Sequence, residues 1–143
     1  MLTRGASLDF GLVRPGDRLP ELVVEMDRET YFRYNRLARE INPLHFDKDF
    51  AARLGFRDIV VAGVYSFGFI PRVVEDWAGA SARVRGVEVR FVSPIYLGET
   101  VVHKAVVKSK DEADGLKRAD IAVAVEDRAG SILTEAVVTL EFF

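Results

Sequence analysis

An α+β domain, in which an antiparallel sheet wraps a central helix, is predicted by three observations. The first is the most apolar stretch of the chain, Ile59 to Trp77, which carries no charge before Arg72. That pattern predicts a helix buried on most sides, kinked near Pro71 because proline cannot continue the hydrogen-bond ladder. The second is the alternation that follows. Val84, Val87, Val89 and Phe91 interleave with Arg85, Glu88 and Arg90, and strand-like segments recur at 100–109, 117–126 and 131–142. Turns at Asp114-Gly115 and Ala129-Gly130 separate them. The third is the segregation of helix from strand along the chain, the mark of α+β rather than α/β architecture.

The remaining elements follow in order. Residues 11–26 read as an extended opening, with a turn at Pro15-Gly16-Asp17 and a β-prone run at Leu22, Val23 and Val24. Asp27 is an N-cap for a helix over 28–39, whose inner face is expected to carry Tyr31, Tyr34, Leu37 and Ala38. A second short helix is expected from Asp47 to Leu54, stopped by Gly55. Long strands on a body this small leave an edge, and pairing across a two-fold axis would cover it, so a dimer is expected.

Composition excludes several function classes. The 143 residues suit one domain over 1–143, 49% hydrophobic and 29% charged. Twenty basic residues stand against 22 acidic ones, a net charge of −2, which offers nothing to nucleic acid. There is no cysteine, so thiol nucleophiles and thiolate metal sites are out, and the two histidines cannot build a histidine-rich cluster. Met1 to Phe10 lacks the apolar core of a signal peptide. No apolar run approaches the ~20 residues of a membrane span, and a cytoplasmic location is expected.

Chemistry concentrates in Glu40-Ile41-Asn42-Pro43-Leu44-His45. Proline pushes the preceding asparagine out of the helical region, so Glu40 ends a helix and His45 follows a bend. Two proton-transfer groups can thus face one small volume. The same six residues also fit an ordinary helix-ending turn with a surface histidine.

Taken together, these segments resemble the MaoC-like dehydratases, which include (R)-specific enoyl-CoA hydratases and hydroxyacyl-ACP dehydratases. Their motif runs aromatic, small residue, Gly-Asp-x-Asn-Pro-(Ile/Leu)-His, then five residues and a small one. It corresponds here to Tyr34, then Ala38 through His45, then Ala51. Gly55-Phe56 and Val61-Ala62-Gly63-Val64 fall where the family has its Ala-His-Gly-Met region. Val89-Arg90-Phe91, Pro94 and Gly98-Glu99-Thr100 match Val-Arg-Phe, Pro and Gly-Asp. Three positions depart from the pattern: Glu40 for aspartate, Arg39 for glycine and Ala62 for histidine.

The resemblance implies the hotdog fold and a hydro-lyase that hydrates trans-2-enoyl thioesters or dehydrates (R)-3-hydroxyacyl thioesters, carried on CoA or acyl carrier protein. It implies a homodimer or higher oligomer, or a heterodimer with a homologous subunit, and no cofactor or metal. By the same implication Glu40 and His45 hold the reacting water, the Gly63 amide receives the thioester oxygen, and Asn42 positions loop and substrate. Two alternatives stand beside it: a non-catalytic acyl-binding or scaffolding subunit, and thioester hydrolysis on the same fold. Gly63 also fits close helix packing, and Asn42 a local backbone bond. His103, beside Lys104, reads as an outward surface residue. Tyr65, Ser66, Phe67 and Phe69 read as core or tunnel wall. Arg83, Arg85 and Arg90 read as solvated strand charges or contacts for an anionic carrier.

Overall fold

Residues 7–143 are described by a computed structural model; the first six, part of the stretch read above for a signal peptide, lie outside the described residues. The first strand is β1 (Leu22–Glu25), as the β-prone run predicts, and a short 3₁₀ turn at Phe10–Leu12 precedes it. Helix α1 (Arg28–Ala38) follows, capped by the Asp27 carboxylate, which accepts from the Thr30 amide at 2.9 Å. Its inner face differs from expectation. Tyr31 and Asn35, one turn apart, are buried, whereas Leu37 is 80% exposed. Hydrogen-bond partners on other segments, rather than hydrophobicity, select that face. Helix α2 (Lys48–Arg53) is short and capped by Asp47.

The apolar stretch is not one long helix. It enters as an extended segment, then forms α3 (Gly63–Phe67) and α4 (Phe69–Ala78), with the break at Gly68. Pro71 sets that break, three residues ahead of itself: it has no N–H for the Phe67 carbonyl, and its ring crowds that carbonyl. Nor is α4 buried on most sides. Ile70, Val73, Val74 and Ala78 form its buried stripe, while Arg72, Glu75 and Asp76 are exposed.

Four long strands follow: β2 (Ala82–Phe91), β3 (Thr100–Ala113), β4 (Leu116–Glu126) and β5 (Ile132–Phe142). The five strands form one antiparallel sheet in the order β1-β3-β4-β5-β2. The β3–β4 hairpin closes on Asp114-Gly115, both at positive φ, the conformation a tight two-residue hairpin demands. A bulge between Val84 and Gly86 explains why Val84 and Val87 share a face although three positions apart. The inner faces, including Val101, Val107, Ile121, Val123, Val138 and Leu140, join the α4 stripe in one core. Among the described residues strand β2 is hydrogen-bonded only to β5, which leaves one long edge unpaired there.

His103 is a correction. It is 1% exposed, on the inward side of β3 with Val101, Ala105 and Val107, and its Nδ1 lies 3.0 Å from the Leu22 carbonyl oxygen. Neighbours on a strand point to opposite faces, so an outward Lys104 places His103 inside. Burial pushes its pKa below the ordinary 6.5, aided by the charge of Arg72 and opposed by the Leu22 carbonyl. The unfolded chain therefore binds the proton at a pH where the folded chain does not. Stability is expected to fall as pH drops through about 6.5 towards the folded-state pKa, and to level off below it. Urea midpoints measured across pH should lose that part of the slope in His103→Gln.

Candidate active site

The site is built from the end of α1. Arg39 closes the helix in the left-handed conformation, φ 54°. Glycine adopts that conformation without cost, whereas other residues pay about 1–2 kcal/mol. The family's glycine is thus explained by this backbone, and Arg39 occupies its place under strain. Arg39→Gly is expected to stabilise the fold by on the order of 1 kcal/mol, read as a rise in Tm.

From there the chain turns on its own side chains. The Glu40 amide donates to the Asn35 carbonyl at 3.0 Å. Glu40 Oε1 accepts from the amides of Ile41 at 3.0 Å and Asn42 at 2.9 Å. Asn42 caps the short 3₁₀ turn Pro43–His45, its Oδ1 accepting from the Leu44 amide at 3.1 Å. The carboxamide oxygen is spent on the local backbone bond weighed above.

His45 is held at both ends. Its Nδ1 lies 2.8 Å from the Val60 carbonyl oxygen, which can only accept, so the neutral ring carries its proton there. Nε2 is left with a lone pair, the form a general base needs. Its backbone carbonyl accepts from the Tyr31 hydroxyl at 2.8 Å and from Asn35 Nδ2 at 3.1 Å. The same Tyr31 oxygen accepts from the Ala62 amide at 2.9 Å.

Beside His45 opens a cavity of about 370 Å³ lined mainly by apolar side chains, among them Phe56, Val61, Phe91 and Ile95, with Gly63 and Ser66. Gly63 stands at the first position of α3, where an amide has no intrahelical acceptor. A Cβ there would meet Phe91 Cζ at 3.1 Å, so a side chain at this position would push that ring back by a few tenths of an ångström. The Ser66 hydroxyl donates to the Gly63 carbonyl at 3.1 Å, and Tyr65 packs edge-on against Tyr31 and Phe69 beneath.

Of the four residues picked from sequence, the cavity brings together His45 and Gly63; Glu40 and Asn42 do not line it. Sequence reasoning passed over Phe56 and Phe91 as wall residues, although both fall in the matched motifs. Arg83 and Arg85 both pair with Glu141, and Arg90 with Glu135, so these guanidinium groups serve β5 across the sheet. Among the described residues no group of three His, Cys, Asp or Glu could hold a metal ion, and no helix is long and apolar enough to cross a membrane.

Comparison with known proteins places this geometry. The mouse peroxisomal multifunctional enzyme type 2 is 40% identical over 68 residues, 46% of this chain but only 9% of that enzyme's length. The 3-oxo-4,17-pregnadiene-20-carboxyl-CoA hydratase beta subunit of Mycobacterium tuberculosis is 35% identical over 102 residues, 71% of this chain and 77% of the subunit. A chain of the Mycobacterium tuberculosis ChsH1–ChsH2 complex superposes with a TM-score of 0.78 at 29% identity, over 92% of this chain and 100% of that one. The curled sheet around its helix is the hotdog fold. With the MaoC like domain matching residues 13–129 as well, this chain belongs to the MaoC-like dehydratase family.

Proposed function

We propose that this chain is a hydro-lyase that adds water across trans-2-enoyl thioesters, or removes it from (R)-3-hydroxyacyl thioesters, in the cavity beside His45. The observation that carries the reading is the His45 Nδ1 contact to the Val60 carbonyl, which leaves the Nε2 lone pair free on a ring that lines the apolar cavity together with Gly63. In hydration, Nε2 takes a proton from water while its oxygen bonds to C3 of the enoyl group. The C2–C3 π electrons move towards the thioester carbonyl, and the Gly63 N–H receives the charge developing on its oxygen. A proton from the His45–Glu40 pair then returns to C2. For Glu40, which does not line the cavity, to share that water, its carboxylate oxygen not spent on the Ile41 and Asn42 amides must turn towards His45, while Asn42 holds the loop that presents His45. The cavity's apolar walls suit an acyl chain and strengthen each electrostatic contact by excluding water.

A second reading has its own support. The hydratase beta subunit and the ChsH1–ChsH2 complex belong to heteromeric assemblies, and Glu40 is turned back onto its own loop. On that reading the chain scaffolds a catalytic homologue. Loss of enoyl absorbance from trans-2-enoyl-CoA substrates of graded length decides between them: turnover by the chain alone supports the hydro-lyase, and turnover only with an added homologue supports the subunit.

The unpaired β2 edge and the exposed Phe91 and Val92 at its end support a dimer joined there. Light scattering at micromolar concentration should give at least twice the monomer mass of 16.0 kDa. A stable monomer with its sheet intact counts against this assembly.

A further inference from the structure

We propose that Tyr31 and Asn35 are a positioning pair that sets His45 against the Gly63 amide, an inference that rests on the catalytic reading above. Tyr31 is 0% exposed, and its hydroxyl uses both of its hydrogen-bonding roles on backbone from two different segments. It donates to the carbonyl of His45 at 2.8 Å and accepts from the amide of Ala62, the residue before Gly63, at 2.9 Å. One oxygen atom thus spans the two halves of the site. Asn35, one turn along α1, adds a second donor to the same His45 carbonyl at 3.1 Å. Its backbone carbonyl also holds the Glu40 amide at 3.0 Å.

The circuit closes through His45 itself, whose Nδ1 contacts Val60 two residues ahead of Ala62. Two segments that carry candidate groups, at His45 and at Ala62–Gly63, are therefore tied to two side chains on one face of α1, and the Glu40 segment is tied to the backbone of Asn35. Asn35 Oδ1 is buried with no partner among the described residues. A core amide with one end unsatisfied is costly to stability, and an apolar residue would fill its volume at less cost. Its retention here is explained by what its other end holds. Neither side chain lines the cavity, so both act through His45 and the Ala62–Gly63 peptide. Displacements near 1 Å at a reacting group cost up to about 10²-fold in rate, so a hydroxyl that fixes this spacing has a kinetic effect out of proportion to its size.

The test compares Tyr31→Phe with the unmodified chain in steady-state hydration and in histidine-ring nitrogen NMR, with His45→Gln assigning the signals. Tyr31→Phe should lower kcat about 10-fold or more and leave KM within about 3-fold. It should also convert the His45 ring from a single Nδ1–H tautomer to a mixture. Asn35→Ala should act in the same direction, and the double variant should lose less than the product, since both donors share one carbonyl. Ile70→Val, a core truncation on α4, supplies the stability control: at a matched loss of Tm it should keep kcat. Equal kcat losses in Tyr31→Phe and Ile70→Val overturn the proposal. If the unmodified chain turns over no enoyl thioester, the catalytic reading fails, and the ring spectrum alone decides: a single Nδ1–H tautomer persisting in Tyr31→Phe overturns the positioning role.

Discussion

In enoyl-CoA hydration, His45→Ala is expected to lower kcat by about 10²-fold or more, the low end of what a positioned acid–base group contributes. Glu40→Gln is expected to fall by a similar factor, and the structure makes it a clean substitution. The glutamine carbonyl oxygen can still accept from the Ile41 and Asn42 amides, so the loop survives and only the ionisable oxygen is lost. If the two residues share one water, the double variant loses far less than the product of the single losses, as groups acting as a unit do. Full activity in Glu40→Gln removes Glu40 from the mechanism and leaves its carboxylate as a loop cap. Glu40→Asp restores the family residue while shortening the reach to the two amides. A gain there, in a chain otherwise inactive, supports the subunit reading.

The second large effect is expected at Gly63. Gly63→Pro deletes the proposed oxyanion donor and should cost a further 10²–10³-fold in kcat beyond Gly63→Ala, about 2.7–4 kcal/mol. The backbone tolerates the change. Proline is favoured at the first helical position, and Ala62 at φ −58°, ψ 131° already has the conformation that a residue before proline adopts. Both variants add a Cβ that presses on Phe91, an exposed ring that can yield a few tenths of an ångström. Gly63→Ala measures the Cβ part, and the difference between the two variants measures the lost amide together with the rest of the proline ring. Equal rates in the two would show that the Gly63 N–H carries no charge in the transition state.

The strands, caps and turns were legible because their signals are local. Alternation marks strands two residues at a time, and Asp27 and Asp47 cap helices within three residues of themselves. The misplaced break in the central helix has a local cause too: Pro71 acts on the carbonyl four residues before it, so the kink belongs at Gly68. The inward position of His103 was also within reach, since Lys104 and Lys108 on one face put residues 101, 103, 105 and 107 on the other. The Asn-Pro-Leu-His turn was legible as a bend with a histidine beyond it. Where its side chains point was not.

By itself, then, the sequence determined the α+β class, the strand segments, the family and the six-residue stretch where chemistry concentrates. These are set by periodicity and by residues whose covalent form restricts the backbone, and both act over a few bonds. Tertiary structure alone decided that His45 keeps its proton on Nδ1, because the acceptor is a carbonyl 15 residues away. It likewise drew Tyr31 to the Ala62 amide, 31 residues on. A buried polar atom takes whatever partner the closed fold brings to it, and that partner has no fixed distance along the chain.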